Sequence, residues 1–176
     1  MDMAYALTPS GYLDLSACET VSDKRDAAWD CFSQNLALRP IVARDGTRVK
    51  GFTPTSCAHI AYGTSKRHRS KVRPKDPFIE RRARFLPMVA DALTGTQKTL
   101  VWRDRKRPMR RILSTEVAPG SYLIVVLDEM DDLYWFRTAY PANSRYFEAC
   151  VKGRGILLDV WDTAQPSTTA KPLRRR

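Results

Sequence analysis

The stretch Tyr122-Leu-Ile-Val-Val-Leu127 is the longest apolar run of the chain and is too short to span a membrane. Its length and β-branched residues predict a buried strand, which we extend to Ser121–Glu129. Similar segments lie around it, at Thr99–Arg103, Met109–Ser114, Leu133–Tyr140 and Ile156–Trp161. The four segments from Thr99 to Tyr140, which include Ser121–Glu129, are joined by short, turn-rich connections. We therefore predict that they form an antiparallel meander.

The sequence before this meander is mostly helical in pattern. Ser22–Leu38 has apolar residues at helical spacing with Ser22 as the N-cap, and Asp76-Pro77 is a typical helix start. The second helix should be kinked or split at Pro87 and end at Thr94-Gly95. Between the helices, Ile41–Phe52 predicts a β-hairpin.

These elements predict an α+β fold. N-terminal helices are followed by an antiparallel sheet of four or five strands, with the middle helix packed on one face. After the fourth strand, Pro141–Val151 predicts a short helix. Thr53–Gly63 has no clear pattern.

Positive charge is concentrated in two tracts. The chain has 30 Lys and Arg against 19 Asp and Glu, a net charge of +11. Residues 65–84 carry nine basic and two acidic residues, and residues 98–111 carry seven basic and one acidic. Such clusters indicate a polyanion partner, most often nucleic acid, although a well-solvated surface is the alternative.

Other features of the composition narrow the class of protein. The cysteines are Cys18, Cys31, Cys57 and Cys150, and their spacing does not resemble that of a zinc site. They favour free thiols in a reducing compartment, although disulfides remain open. The N-terminus lacks the basic region of a signal peptide, so a cytoplasmic site of action is expected. We expect no metal, no cofactor and no membrane partner.

The alternation of residues along the strands predicts that one face of the sheet is polar. In the fourth strand Tyr134, Phe136, Thr138 and Tyr140 should share one side, opposite Leu133, Trp135, Arg137 and Ala139. In the second strand Arg110 and Arg111 should point to opposite faces. If one face packs on a helix, the other carries arginines, aromatic rings and a hydroxyl, which suits an RNA backbone with stacked bases.

The two histidines are the candidate acid and base of a metal-independent ribonuclease. His68 lies in the first basic tract, whose cations favour its neutral form. His59 has apolar neighbours and has the alternative of being a core residue. We interpret the acidic group at Asp128–Asp132 as a solvated turn rather than a metal site.

The order of four segments resembles the phage-associated barnase–EndoU–colicin–RelE-like (PBECR) nuclease group. The segments are Arg82–Leu93, Thr99–Arg103, Tyr122–Leu127 and Trp135-Phe-Arg-Thr-Ala-Tyr-Pro141, and the resemblance covers about residues 57–150. It implies helices followed by a four-stranded antiparallel sheet. Residues 1–56 lie outside the resemblance and are expected to be an N-terminal appendage to a nuclease-like domain (57–161). The Ser, Thr, Pro and Arg residues of the tail (162–176) predict a disordered basic segment.

The resemblance implies a metal-independent endoribonuclease, toxin-like or phage-encoded, that cleaves RNA through its 2′-hydroxyl. Tyrosine, arginine and lysine side chains would bind the RNA, for which tRNA is one candidate. A cognate immunity protein or antitoxin is a further expected partner. The resemblance implies Thr138, Arg103 and Arg111 as catalytic residues. It aligns no histidine, so His59 or His68 as the residue that moves a proton rests on the acid–base argument above. The expected RNA-binding residues are Arg81, Arg82, Lys98, Arg105, Lys106, Arg107, Arg110 and Tyr140. The alternatives are a non-catalytic nucleic-acid-binding or phage accessory protein, and a basic protein that inhibits a host enzyme.

Overall fold

The computed structural model describes residues 5–61 and 78–164. The chain forms two compact units, one of Met1–Arg39 with Phe52–Met88 and one of Pro40–Gly51 with Val89–Arg176. The division expected from the sequence, at residues 56 and 161, stays a prediction. His68, the helix start at Asp76-Pro77 and the tail from residue 165 lie outside the described residues.

The first unit opens with two short strands and a capped helix. Strands β1 (Ala6–Leu7) and β2 (Leu13–Asp14) pair antiparallel, and helix α1 spans Val21–Phe32. The cap is Thr20 rather than the predicted Ser22. Its hydroxyl accepts from the Asp23 N–H at 3.1 Å, and the Asp23 carboxylate accepts from the Thr20 N–H at 2.8 Å. A π-helical turn, Ser33–Ala37, continues α1 almost to the predicted end at Leu38.

Two further short helices lie in the described part of the first unit. Helix α2 (Pro54–Ala61) lies in the region whose sequence pattern is ambiguous, and helix α3 spans Glu80–Ala83. Lys24 of α1 forms an ion pair with Glu80 at 2.7 Å. A guanidinium nitrogen of Arg82 donates to the carbonyl oxygen of His59 at 2.9 Å, which ties α3 to the end of α2.

The predicted break at Pro87 is confirmed. Helix α4 (Leu86–Thr94) begins after a turn that follows α3, so Pro87 lies in its first turn, where a missing N–H is tolerated. Gly95, with a φ of +73°, follows the last residue of α4 as predicted.

The second unit contains a seven-stranded sheet in the order β3-β4-β8-β7-β6-β5-β9. Its strands are β3 (Ile41–Val42), β4 (Arg48–Lys50), β5 (Thr99–Asp104), β6 (Arg110–Ala118), β7 (Ser121–Met130), β8 (Leu133–Asn143) and β9 (Gly155–Trp161). The predicted meander and its final strand are confirmed. The hairpin β3–β4 also forms, with Gly46 at a φ of +85°.

The predicted strand number and the purely antiparallel pairing were wrong. The hairpin adds two strands, because β4 pairs with β8 in parallel while every other neighbouring pair is antiparallel. This contact joins residues about 85 positions apart in the chain, such as Val49 and Tyr134. Nothing in the local sequence pattern could indicate such a pairing.

The C-terminal helix covers one end of a sheet face. The expected packing of the middle helix on a sheet face stays a prediction. Helix α5 (Ser144–Tyr146) continues as a π-helical segment, Phe147–Lys152, and ends one residue beyond the predicted Pro141–Val151. Phe147 stacks on Tyr122 with ring centroids 4.3 Å apart and meets Trp102 edge to face at 6.0 Å. Ile124, Val126 and Val151 complete this apolar cluster.

Candidate nucleic-acid interface

The strand register sorts the residues of the sheet into two faces. Residues paired across neighbouring strands share a face, and successive residues alternate. One face, here called the core face, is apolar and buried; it carries Leu113, Leu123, Val125, Leu127, Phe136 and Ala139. On the opposite face, α5 and its continuation cover one end. The uncovered end, here called the open face, carries Arg48, Lys50, Arg110, Asp128, Trp135, Arg137 and Thr138.

A β-bulge in β8 decides which residues reach the open face. Leu127 pairs with Phe136 and Val126 pairs with Thr138, so Arg137 is an extra residue in β8. The predicted alternation was therefore wrong beyond this point. Tyr134 and Phe136 are buried on the core face, whereas Thr138 and Tyr140 lie on the opposite one. The bulge brings the Thr138 hydroxyl to the same face as Arg110 and Arg137.

Asp128 links two arginines on the open face. One carboxylate oxygen, Oδ1, accepts from Arg110 Nε at 3.1 Å, and the other, Oδ2, accepts from Arg137 Nε at 2.5 Å. The three residues come from β6, β7 and β8. This ion-pair cluster therefore spans three adjacent strands.

The electrostatics of the cluster keep Asp128 ionised. Partial burial raises the pKa of Asp128, but the hydrogen bonds from Arg137 and Arg110 and the charges of both arginines outweigh that effect. The net result is a pKa below the ordinary value. The sequence-based interpretation of Asp128 as part of a solvated turn was wrong, because Asp128 and Glu129 lie within β7.

Arg111 lies on the other face and has different surroundings. It pairs in register with Leu127 and Arg103, so both predicted catalytic arginines belong to the core face. Its Nη1 donates to the Pro108 carbonyl at 2.7 Å, and its Nη2 forms an ion pair with Glu129. The structure therefore brings Thr138 together with Arg110 and not with Arg103 or Arg111.

Tyr140 borders the open face beneath α5. Its hydroxyl lies 3.0 Å from that of Tyr146, and the two rings meet edge to face. Burial, followed by the hydrogen bond with Tyr146, raises the pKa of Tyr140, while the charge of Arg110 opposes the rise. Tyr140 is therefore a neutral hydrogen-bonding group at ordinary pH.

The turn between β5 and β6 presents the predicted loop cations. Arg105, Lys106 and Arg107 are all exposed. Asp104 organises this turn, since its carboxylate accepts from the Lys106 N–H at 2.8 Å and its carbonyl accepts from the Arg107 N–H at 3.3 Å. The turn lies at the same end of the sheet as Arg110. Lys98 is exposed as well, but it precedes β5 at the opposite end.

The remaining predicted residues belong to the first unit. His59 is exposed in the last turn of α2, so the alternative that it is a core residue was wrong. Arg81 is exposed on α3, and Arg82 is partly buried against the carbonyl of His59.

Trp135 is a candidate RNA-binding residue that the sequence analysis did not select. Its indole is 36% exposed on the open face, and its register partners are Asp128 and Lys50. One edge of the ring rests on Gly51, where a Cβ would lie 2.8 Å from Trp135 Cε2. Gly51 also has a φ of +95°, so glycine suits both its backbone and this close approach. Trp135 could not be selected from the sequence because the register of β4 with β8 was not known.

Comparisons with known proteins give no family for this chain. No family model, curated protein or solved structure matches it significantly.

Two further properties concern the described residues alone. Among residues 5–61 and 78–164, no group of His, Cys, Asp and Glu side chains is arranged to hold a metal ion. No helix in these ranges is both long and apolar enough to cross a membrane. Cys18, Cys31, Cys57 and Cys150 are free thiols, and burial raises the pKa of Cys31 and of Cys57 to about 12.

Proposed function

We propose that the protein binds single-stranded RNA on the open face of its sheet. The observation that carries the proposal is the Arg110–Asp128–Arg137 cluster beside an exposed tryptophan. Cations attract the phosphates of the strand, and an exposed indole can stack on an unpaired base. An uncovered sheet face with a stacking ring suits the splayed-out bases of a single strand better than a duplex, whose major groove is deep and narrow.

The charge around the cluster supports an extended binding path. Arg48 and Lys50 of β4 are exposed on one side of it. The β5–β6 turn carries Arg105, Lys106 and Arg107 on the other side. Backbone phosphates of one strand can therefore meet cations on both sides of the cluster, which predicts affinity that falls steeply with salt.

A binding experiment tests this proposal directly. Fluorescence anisotropy would compare a labelled single-stranded RNA, the same sequence as a duplex, and single-stranded DNA over a series of salt concentrations. We expect the single-stranded RNA to bind more tightly than the duplex, with a linear decrease of log affinity against log salt. Equal affinity for all three nucleic acids would contradict the RNA and single-strand preference. Failure to bind any of them at low salt would exclude the function.

RNA cleavage on the same face is a second candidate function, and the position of Thr138 favours it. The resemblance to the PBECR nucleases suggests attack of a ribose 2′-oxygen on the adjacent phosphorus, with release of the 5′-oxygen. Arg110 and Arg137 would stabilise the added negative charge of the phosphorane, and Thr138 would orient the phosphate. A base removes the 2′-hydroxyl proton and an acid protonates the leaving oxygen. The sequence-based hypothesis that His59 or His68 moves one of these protons stays a prediction, since His59 belongs to the first unit and His68 lies outside the described residues.

Cleavage is tested with purified protein, structured and unstructured RNA including tRNA, and EDTA. We expect products ending in 2′,3′-cyclic phosphate, a loss of activity in Thr138→Ala and partial retention in Thr138→Ser. If the RNA bound to the protein but stayed intact, the result would support the non-catalytic RNA-binding alternative. A toxin or phage origin, an immunity partner and a cytoplasmic site of action belong to the nuclease proposal. The host-enzyme inhibitor hypothesis predicts instead a protein partner that survives nuclease treatment.

A further inference from the structure

We propose that Arg110 and Arg137 form a binding site for a single phosphodiester group, and that Asp128 is the positioning residue of this site. The proposal rests on the proposed function insofar as the phosphate belongs to single-stranded RNA. It adds a defined subsite within the open face. It also assigns a role to an acidic residue that charge attraction alone would count as unfavourable for RNA binding.

The bonding pattern of the two arginines is the first argument. Both use Nε to contact Asp128, and neither side chain makes another hydrogen bond within residues 5–61 and 78–164. The terminal Nη groups of both side chains therefore retain their donors. A guanidinium donates in a fixed planar fork, so anchoring Nε also orients these Nη donors.

The placement of the arginines on the sheet is the second argument. Arg110 comes from the start of β6, and Arg137 reaches the same carboxylate because it is the extra residue of the bulge in β8. The Arg137 side chain is 51% exposed, so a ligand can reach it. Two guanidinium groups bound to opposite oxygens of one carboxylate lie close together, and a phosphate has enough oxygens to accept from both.

Arg111, in the same β6–β7 hairpin, is an arginine whose terminal nitrogens already have partners within the protein. Both of its Nη atoms are occupied, by the Pro108 carbonyl and by Glu129, and its side chain is only 14% exposed. Arg110 differs in that only its Nε is occupied. A purely structural ion pair would not require the terminal donors to remain available.

Asp128→Asn separates positioning from simple attraction by the sign of its effect. The substitution keeps the shape of the side chain and makes the protein more positive by one charge. Charge attraction alone predicts tighter RNA binding. Positioning predicts weaker binding, because the amide nitrogen cannot accept from a guanidinium and the two arginines lose their common anchor.

The matched control is Asp132→Asn. Asp132 is exposed in the β7–β8 turn close to the cluster, and its replacement makes the same change in charge. We expect Asp132→Asn to bind RNA as tightly as the wild type or slightly more tightly. We expect Asp128→Asn to bind about fivefold more weakly, within the range for losing an oriented charged hydrogen bond. Equal affinities of the two variants would overturn the positioning role.

A second pair of measurements keeps the test independent of how Asp128→Asn folds. Arg137→Lys retains the charge but cannot donate in a fork, so we expect a severalfold loss of RNA affinity. NMR signals of the arginine Nε–H groups, followed during titration of the wild-type protein with inorganic phosphate, should shift for Arg110 and Arg137 and not for Arg111. If the wild type bound phosphate there but no RNA, the proposed function would fail and the subsite would stand. If it bound RNA with no shift at either arginine and Arg137→Lys had full affinity, only the subsite would fail.

Discussion

Arg110 and Arg111 are neighbours in the chain, and each forms an ion pair with an acidic residue of β7, yet they lie on opposite faces of the sheet. On the core face, Arg111 is enclosed and its terminal nitrogens are occupied. On the open face, Arg110 shares Asp128 with Arg137 and keeps its terminal donors. Strand alternation thus gives two neighbouring arginines of one basic tract different surroundings. Arg111 is held by partners within the sheet, and Arg110 is the arginine that we propose binds a ligand.

The largest expected difference between the two faces concerns the adjacent aromatic residues of β8. Phe136 is 1% exposed on the core face, so Phe136→Ala should lower the free energy of unfolding by about 4 kcal/mol. Trp135→Ala removes a partly exposed ring and should lower the free energy of unfolding by less than about 1 kcal/mol. Urea denaturation of both variants, with RNA affinity measured for Trp135→Ala, would check this.

Base stacking by Trp135 has a control of its own. Trp135→Ala should weaken binding to single-stranded RNA by about 1 kcal/mol or more, and Trp135→Phe should restore part of it. Trp29→Ala, which removes an exposed tryptophan of the first unit, should leave RNA affinity unchanged. Equal effects of Trp135→Ala and Trp29→Ala would contradict the assignment of the stacking ring to the open face.

The next largest effect concerns the two arginines. Arg111→Ala leaves Glu129 without this partner in a partly buried position, so it should lower the free energy of unfolding by about 2 kcal/mol. Arg110→Ala should lower it by less than about 1 kcal/mol, since Asp128 keeps Arg137. Urea denaturation curves of the two variants would measure this difference in the free energy of unfolding. A greater loss of stability in Arg110→Ala would reverse it.

The smallest expected effect is a pH dependence from Asp128. Its pKa in the folded protein lies below the ordinary value of 3.8, so its contribution to stability is fully present above about pH 4. That contribution is lost as the pH falls through the folded pKa. The stability of wild type and Asp128→Asn, measured by urea denaturation from pH 6 to pH 2, should therefore converge toward the acid end. A constant difference over the whole range would show that this titration does not contribute.

Much of the fold follows from local sequence patterns. The meander, the β3–β4 hairpin, the break at Pro87 and the final strand were all predicted, because turn residues and apolar runs are local signals. The parallel pairing of β4 with β8 was not, since it joins distant segments. The N-cap at Thr20 instead of Ser22 shows that boundaries are less certain than the elements themselves.

The site was predicted less completely for a related reason. Arg110, Thr138 and Tyr140 were selected and do lie on the same side of the sheet. The bulge at Arg137 has no glycine or proline to signal it, and it reverses the alternation on which the predicted grouping of Thr138 with Phe136 depended. Asp128 was overlooked because an acidic residue beside a turn has an ordinary explanation until its two arginine partners are known.

The central claim is that the open face binds RNA through Arg110 and Arg137. Its most direct test is the salt dependence of single-stranded RNA binding by the wild type and by the Arg110→Ala/Arg137→Ala double variant, with Arg39→Ala/Arg145→Ala as the control for loss of two exposed charges. We predict that the double variant loses about tenfold or more in affinity and that the slope of log affinity against log salt decreases by about 0.7, the value for one lost phosphate contact. An affinity and slope equal to those of the control variant would contradict the account.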